Sequence, residues 1–125
     1  MVKKSYLLTI LIMIMIIISI GCNKQAFVGN STSNASKFVM DYSVLNCTKT
    51  HEMKLEKGAK INAVIESQSG SIDILVTDED GKEIYKGDNA SSGKFELNIP
   101  KTGTYKFSVT GSKAKGSVSF KVDEA

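Results

Sequence analysis

The chain has no tryptophan, one proline, one histidine and two cysteines among its 125 residues. All sixteen of its basic residues are lysine, so arginine is absent as well. Arginine is the usual choice for bidentate phosphate and carboxylate recognition and for buried ion pairs. Its absence argues against a phosphate or nucleic-acid partner, and so does the net charge of +3, which gives no strong field. Without tryptophan, the chain lacks the best flat aromatic platform for stacking a sugar. A single imidazole, His51, offers neither a second metal ligand nor a group to orient it, so it reads as a structural or surface histidine. Neither a catalytic set nor a metal site is expected, and no cofactor is implied.

What is present begins with Lys3 and Lys4, an apolar run from Tyr6 to Ile20, and then Gly21-Cys22. A basic start, a short apolar core and a small residue at the cut site make an export signal. The run of about 15 residues falls short of the ~20 that span a bilayer core. Ile18-Ser19-Ile20-Gly21-Cys22 resembles the lipobox of bacterial lipoprotein signal peptides. That resemblance implies cleavage after Gly21 and diacylglycerol on the Cys22 thiol, two acyl chains being enough for stable anchoring. With Cys22 so used, no intramolecular disulfide remains. Cys47 is then expected as a buried strand cysteine, with a reactive thiol or an intermolecular bridge as alternatives.

Residues 22–37 follow as the lipidated cysteine and a polar, Asn- and Ser-rich stretch expected to be a disordered tether. Beyond residue 37 the dominant period is two. Phe95-Leu97-Ile99, Tyr105-Phe107-Val109 and Val118-Phe120-Val122 each alternate with polar residues, as half-buried strands do. Phe38-Met40-Tyr42-Val44, Met53-Leu55, Ile61-Ala63-Ile65, Ile72-Ile74-Val76 and a short segment at Glu83–Lys86 complete about eight strands. Asp80-Gly81 marks a hairpin, and Lys57-Gly58, Ser69-Gly70 and Ser92-Gly93 mark further breaks. Pro100 ends a strand where a missing N–H is tolerable. The fold class is therefore all-β: one antiparallel, jelly-roll-like sandwich over residues 38–125, after a signal segment at 1–21 and the tether.

Lys57-Gly58, Gly70-Ser71-Ile72-Asp73-Ile74, Asp80-Gly81-Lys82, the run Ile99-Pro100-Lys101-Thr102-Gly103-Thr104-Tyr105 and Gly116 carry a further likeness. On these residues the stretch from Gly58 to Val122 resembles bacterial extracellular sandwiches of the pre-peptidase C-terminal type and, more loosely, GOLD-type sandwiches. The resemblance implies an accessory or interaction module.

Four features invite sharper chemistry. Asp78-Glu79-Asp80-Gly81, with Asp73 and Asp88 nearby, is an acidic cluster lacking the spacing of a calcium loop, so it reads as a solvated hairpin tip. Gly111 to Ser117 lacks the lysine after the second glycine that a phosphate loop needs, and reads as a lysine-bearing hairpin loop. Tyr85, near a turn, is the one aromatic placed to be an exposed platform. Asn30, Asn34, Asn46 and Asn89 head glycosylation sequons, read as by-products of composition. The chain is thus expected to be a non-catalytic lipoprotein on the extracytoplasmic face of a bacterial membrane, anchored through Cys22. Its sandwich would serve as an interaction or envelope-structural module with an unknown protein or glycan partner, or alternatively bind a small ligand or carbohydrate.

Overall fold

A computed structural model describes residues 26–123 as seven antiparallel strands: β1 (Phe27–Ser33), β2 (Lys37–Leu45), β3 (Thr48–Leu55), β4 (Lys60–Thr77), β5 (Glu83–Gly87), β6 (Gly93–Asn98) and β7 (Gly103–Val122). Two of these are far longer than the rest, 18 residues in β4 and 20 in β7. They pair with each other along their whole length, from Ile61 opposite Val122 to Thr77 opposite Lys106. Register breaks at Ser67/Ser69 and Ser69/Ser71 divide that ladder into two halves.

Each half belongs to a different sheet. The first half of β4 and the second half of β7 sit in sheet I, ordered β1-β2-β7-β4-β6. The second half of β4 and the first half of β7 sit in sheet II, ordered β3-β7-β4-β5. The sheets enclose one core, in which Tyr105, Phe107, Val109, Phe120, Ile61, Val76 and Leu45 are wholly buried. The expected sandwich is present.

The corner between sheets explains why seven strands replace the expected eight. Inward residues of β4 are odd-numbered before the break (Ile61, Ala63, Ile65) and even-numbered after it (Ile72, Ile74, Val76). In β7 the same change of parity separates Val109 from Ala114, Val118 and Phe120. A bulge inserts one residue and turns the strand without ending it. Ser69-Gly70 and Gly111–Ser117 are therefore parts of continuous bent strands, not the turn and hairpin loop the sequence suggested. Gly70 sits at φ +69°, where a Cβ would collide with the Lys113 carbonyl of the opposing strand. Lys113 itself takes φ +48°.

Two further expectations change. Part of the expected tether forms β1, which lies along β2 from Phe27 opposite Leu45 to Ser33 opposite Phe38. Main-chain pairing needs no apolar side chains, and Val28 to Ser33 are all exposed. Val44 does not face the core. The β2–β7 register slips between Tyr42 and Leu45, leaving Val44 39% exposed and Leu45 buried in its place.

Aromatic pairs close both open sides of the sandwich. Tyr85 on β5 stacks on Phe95 of β6 with ring centroids 4.7 Å apart. On the other side the His51 ring of β3 lies 5.5 Å from Phe38 of β2. Replacing Gly70 with Ala is expected to destabilise the domain by about 2–4 kcal/mol, since both the backbone conformation and the Lys113 carbonyl oppose a side chain. Denaturant unfolding of the variant checks this, and a loss below about 0.5 kcal/mol, the usual effect of a bland surface change, would remove the corner from the account.

Candidate functional site

The strand period puts one side chain in two on the outer face of sheet II, and the registers set those side chains in rows. Glu52, Lys106, Thr77 and Glu83 form one row, each opposite the next. Thr50, Ser108, Leu75 and Lys86 form a second, and Thr48, Thr110 and Asp73 a third. Thr48 and Thr110 join hydroxyl to hydroxyl at 2.8 Å. This face holds an open cleft of about 550 Å³ lined by Glu52, Thr77, Asp78, Glu79, Thr104 and Lys106. A second, of about 360 Å³, lies over Asp73, Leu75, Lys86, Asp88 and Ser108.

The acidic cluster borders the larger cleft, but its carboxylates are occupied with the fold. Asp78 is only 8% exposed, so it is no solvated tip. Its Oδ1 accepts the Lys82 and Asp80 amides, each at 2.9 Å, and shapes the β4–β5 turn. Its Oδ2 lies 3.5 Å from Lys101 Nζ, which also reaches Asp80 at 3.1 Å. Glu79 accepts the Thr104 amide at 2.6 Å, and Tyr105 donates its hydroxyl to the Lys101 carbonyl. The β4–β5 turn and the β6–β7 turn are thereby fastened together. The Lys82 amide is the main cause holding the Asp78 carboxyl below its usual pKa; the Asp80 amide and the Lys101 ammonium add to it, while burial opposes. Among the described residues, no three His, Cys, Asp or Glu side chains converge to hold a metal ion.

The remaining candidates are scattered. His51 is half-buried and its Nε2 lies 2.6 Å from the Asn34 carbonyl in the β1–β2 turn. A carbonyl only accepts, so this nitrogen carries the proton and ties β3 of sheet II to the edge of sheet I. Tyr85 faces inward against Phe95 and is not a free platform. Cys47 is disulfide-bonded, correcting the expectation that it is unpaired. The chain has one other cysteine, Cys22, and Gly21 and Cys22 lie outside the described residues. Of the cleft residues, sequence reasoning missed Glu52, Lys106, Thr77 and Thr104. The alternation placed them outward, but nothing local indicated which strands lie side by side.

Fold and site together define an all-β sandwich domain whose exposed chemistry is carried on a sheet face. The chain belongs to the emp24/gp25L/p24 family/GOLD, whose family model matches residues 18–125. Suppressor/enhancer of lin-12 protein 9 of Caenorhabditis elegans is 39% identical over 57 residues, 43% of this chain and 28% of that protein. The chain thus spans somewhat under a third of the length of that curated relative. Among solved structures, the Aeromonas hydrophila periplasmic inhibitor of g-type lysozyme aligns with 82% of this chain and 92% of its own, at 13% identity and a TM-score of 0.49. TmCBM61, solved with β-1,4-galactotriose, aligns with 84% of this chain and 82% of its own, at 17% identity and a TM-score of 0.43. These two likenesses are too weak to carry a functional argument.

Family membership supports the GOLD-like half of the sequence resemblance and contradicts the bacterial lipoprotein reading. The family and the nematode relative contradict a place on the extracytoplasmic face of a bacterial membrane. They contradict a bacterial lipoprotein held by lipid on Cys22, whether structural, ligand-binding or carbohydrate-binding. The physical source of the error is that a basic start, a short apolar run and a small residue are common to export signals of every kind. A cysteine after them resembles a lipobox whatever its use in the folded protein. Among the described residues no helix is long and apolar enough to cross a membrane.

Because the Asp78 pKa is lowered on folding, its contribution to stability is present above the unfolded carboxyl value of about 3.9 and fades as pH falls through the lower folded value. Asp78→Asn is expected to lower the melting temperature at pH 7 and to flatten the loss of stability below pH ~4. Melting curves from pH 7 to pH 2 check this, and parallel acid profiles for both proteins would show that Asp78 does not supply the dependence.

Proposed function

We propose that the chain is a non-catalytic GOLD-type binding module of the eukaryotic secretory pathway, receiving a protein partner on the outer face of sheet II. The observation that carries this reading is the family match, which extends over residues 18–125. The relative from Caenorhabditis elegans supports it over a shorter stretch. The chemistry of the face agrees. Glu52, Lys106, Thr77, Glu83 and Lys86 are not needed to fill the core, and they present mixed charge and hydroxyls beside two open clefts. Acidic side chains outnumber lysines around the clefts, which suits a partner segment carrying basic residues. The non-catalytic reading is supported by how the reactive groups are engaged. Asp78 and Glu79 are held by main-chain amides, and His51 is turned to the Asn34 carbonyl at the far side of the sandwich.

Tagged full-length chain expressed in eukaryotic cells is expected to fractionate with endoplasmic-reticulum and Golgi membranes and to capture a protein on crosslinking. Glu52→Lys should reduce that capture about tenfold, a loss of some 1.4 kcal/mol, while moving stability by no more than about 0.5 kcal/mol. Recovery of the chain in the cytosolic fraction would overturn the compartment. Capture unaffected by Glu52→Lys would overturn the surface.

A further inference from the structure

Asn30, Asn34, Asn46 and Asn89 each stand two residues before a serine or threonine, and the function proposed above gives these sequons no part. An Asn-X-Ser/Thr unit accepts an oligosaccharide only in a secretory chain, and so bulky and polar a group must end at the surface of the folded domain. The structure separates the four on that second condition. Asn30 lies inside β1, opposite Asp41, and its Nδ2 donates to the Asp41 carboxylate at 3.3 Å. Asn46 is held against the corner of β7, where its Oδ1 accepts the Lys113 amide at 3.0 Å. The central residue of its sequon is the half-buried, disulfide-bonded Cys47. Asn89, at φ +49°, gives its own amide to Asp73 Oδ1 at 2.8 Å. The next residue, Ala90, packs on the core with its amide on the Ile72 carbonyl.

Asn34 differs. Asn34-Ala35-Ser36 forms the β1–β2 turn, and Asn34 and Ala35 are both exposed. Asn34 Oδ1 accepts the Ser36 main-chain amide at 2.9 Å and the Ser36 hydroxyl at 3.2 Å. A main-chain amide only donates, so the oxygen of the carboxamide is the atom turned to Ser36 and Nδ2 is left on the solvent side. Both bonds run within three residues, so this turn can form in a nascent chain before any strand has paired. The tie from this turn to His51 uses the Asn34 main-chain carbonyl and leaves the carboxamide out. Neither cleft on sheet II is lined by a residue of β1, β2 or their turn, so a glycan here leaves that face open. One on Asn89 would stand beside Asp73 and Asp88, which line the smaller cleft.

We propose that Asn34 is an N-glycosylation site, and that it carries the oligosaccharide in preference to Asn30, Asn46 and Asn89. The co-substrate is an oligosaccharide joined through C1 of its first sugar to a polyprenyl diphosphate, and a separate membrane transferase supplies the catalysis. Asn34 Nδ2 forms the new bond to C1 while the bond from C1 to the diphosphate oxygen breaks. The diphosphate leaves with that electron pair, and one Nδ2 proton passes to a base of the transferase. The inference rests on the secretory compartment proposed above.

The test expresses the full chain in eukaryotic cells, extended at its C-terminus by a tag bearing a known acceptor sequon, and digests it with an N-glycanase. Two steps in gel mobility are expected, one from the tag and one from the chain. Asn34→Gln and Ser36→Ala should each remove the chain's step, and Ser36→Thr should keep it. Asn30→Gln, Asn46→Gln and Asn89→Gln should each leave both steps in place. Ser36→Ala retains the main-chain bond to Asn34 Oδ1, so it decides should Asn34→Gln misfold. A glycosylated tag on a chain that has no glycan of its own, or keeps one in both Asn34→Gln and Ser36→Ala, overturns the site and leaves the compartment standing. A tag without a glycan overturns both.

Discussion

The antiparallel ladder between β4 and β7 is the constraint on which the rest of the domain depends. It runs from Ile61–Val122 to Thr77–Lys106, and every other strand but β1 is hydrogen-bonded to one of its two members. Because the ladder turns at Ser67–Ser71 without breaking, a single pair of strands supplies the centre of both sheets. The core follows from that turn. The change of parity in each strand keeps Ile61, Ala63 and Ile65 on the same side as Ile72, Ile74 and Val76, so both halves face one interior. A domain of this size has little surplus apolar area, and using each long strand twice fills a core from few residues.

Faces and edges divide the remaining work. Inward positions are taken by aliphatic and aromatic side chains, with Phe107 against Phe120 at 5.2 Å between centroids. At the sides, Tyr85 with Phe95 and His51 with Phe38 span from one sheet to the other, so the polar aromatic residues serve closure rather than recognition. At one end, Asp78 and Lys101 tie neighbouring turns through a carboxylate that main-chain amides hold ionised. Among the described residues, what these duties leave free is the outer surface of sheet II.

The local pattern was informative where structure is local, and misleading where it is not. Alternation identified the buried residues of nearly every strand: Tyr105, Phe107 and Val109, or Ile72, Ile74 and Val76, are all below 2% exposed. It failed at Val44, where a slip in register against β7 exchanged that side chain with Leu45. It failed at Ser69-Gly70 and Gly111–Ser117 for a different reason. A tight turn and a bulged corner can each break the parity and place a residue at positive φ, so the two look alike along one strand. β1 escaped notice because its side chains bury almost nothing and its stability comes from main-chain bonds to β2. Function was misjudged at the leader, where one physical signature serves several cellular routes.

Taken alone, the sequence determined the fold class, the composition of the core and the outward placement of Glu52, Lys106 and their neighbours, because a two-residue period is written into each strand whatever its partners. The tertiary structure decided which strands adjoin, and with that everything that depends on adjacency. It set the rows of the sheet II face, the joining of eight expected strands into seven, the burial of Asp78 and the pairing of Val28 with Val44 at the surface. The physical reason is the range of the interactions. Burial alternates through the geometry of neighbouring residues, whereas strand order is set by hydrogen bonds between residues as distant as Lys37 and Lys121, which no local segment encodes.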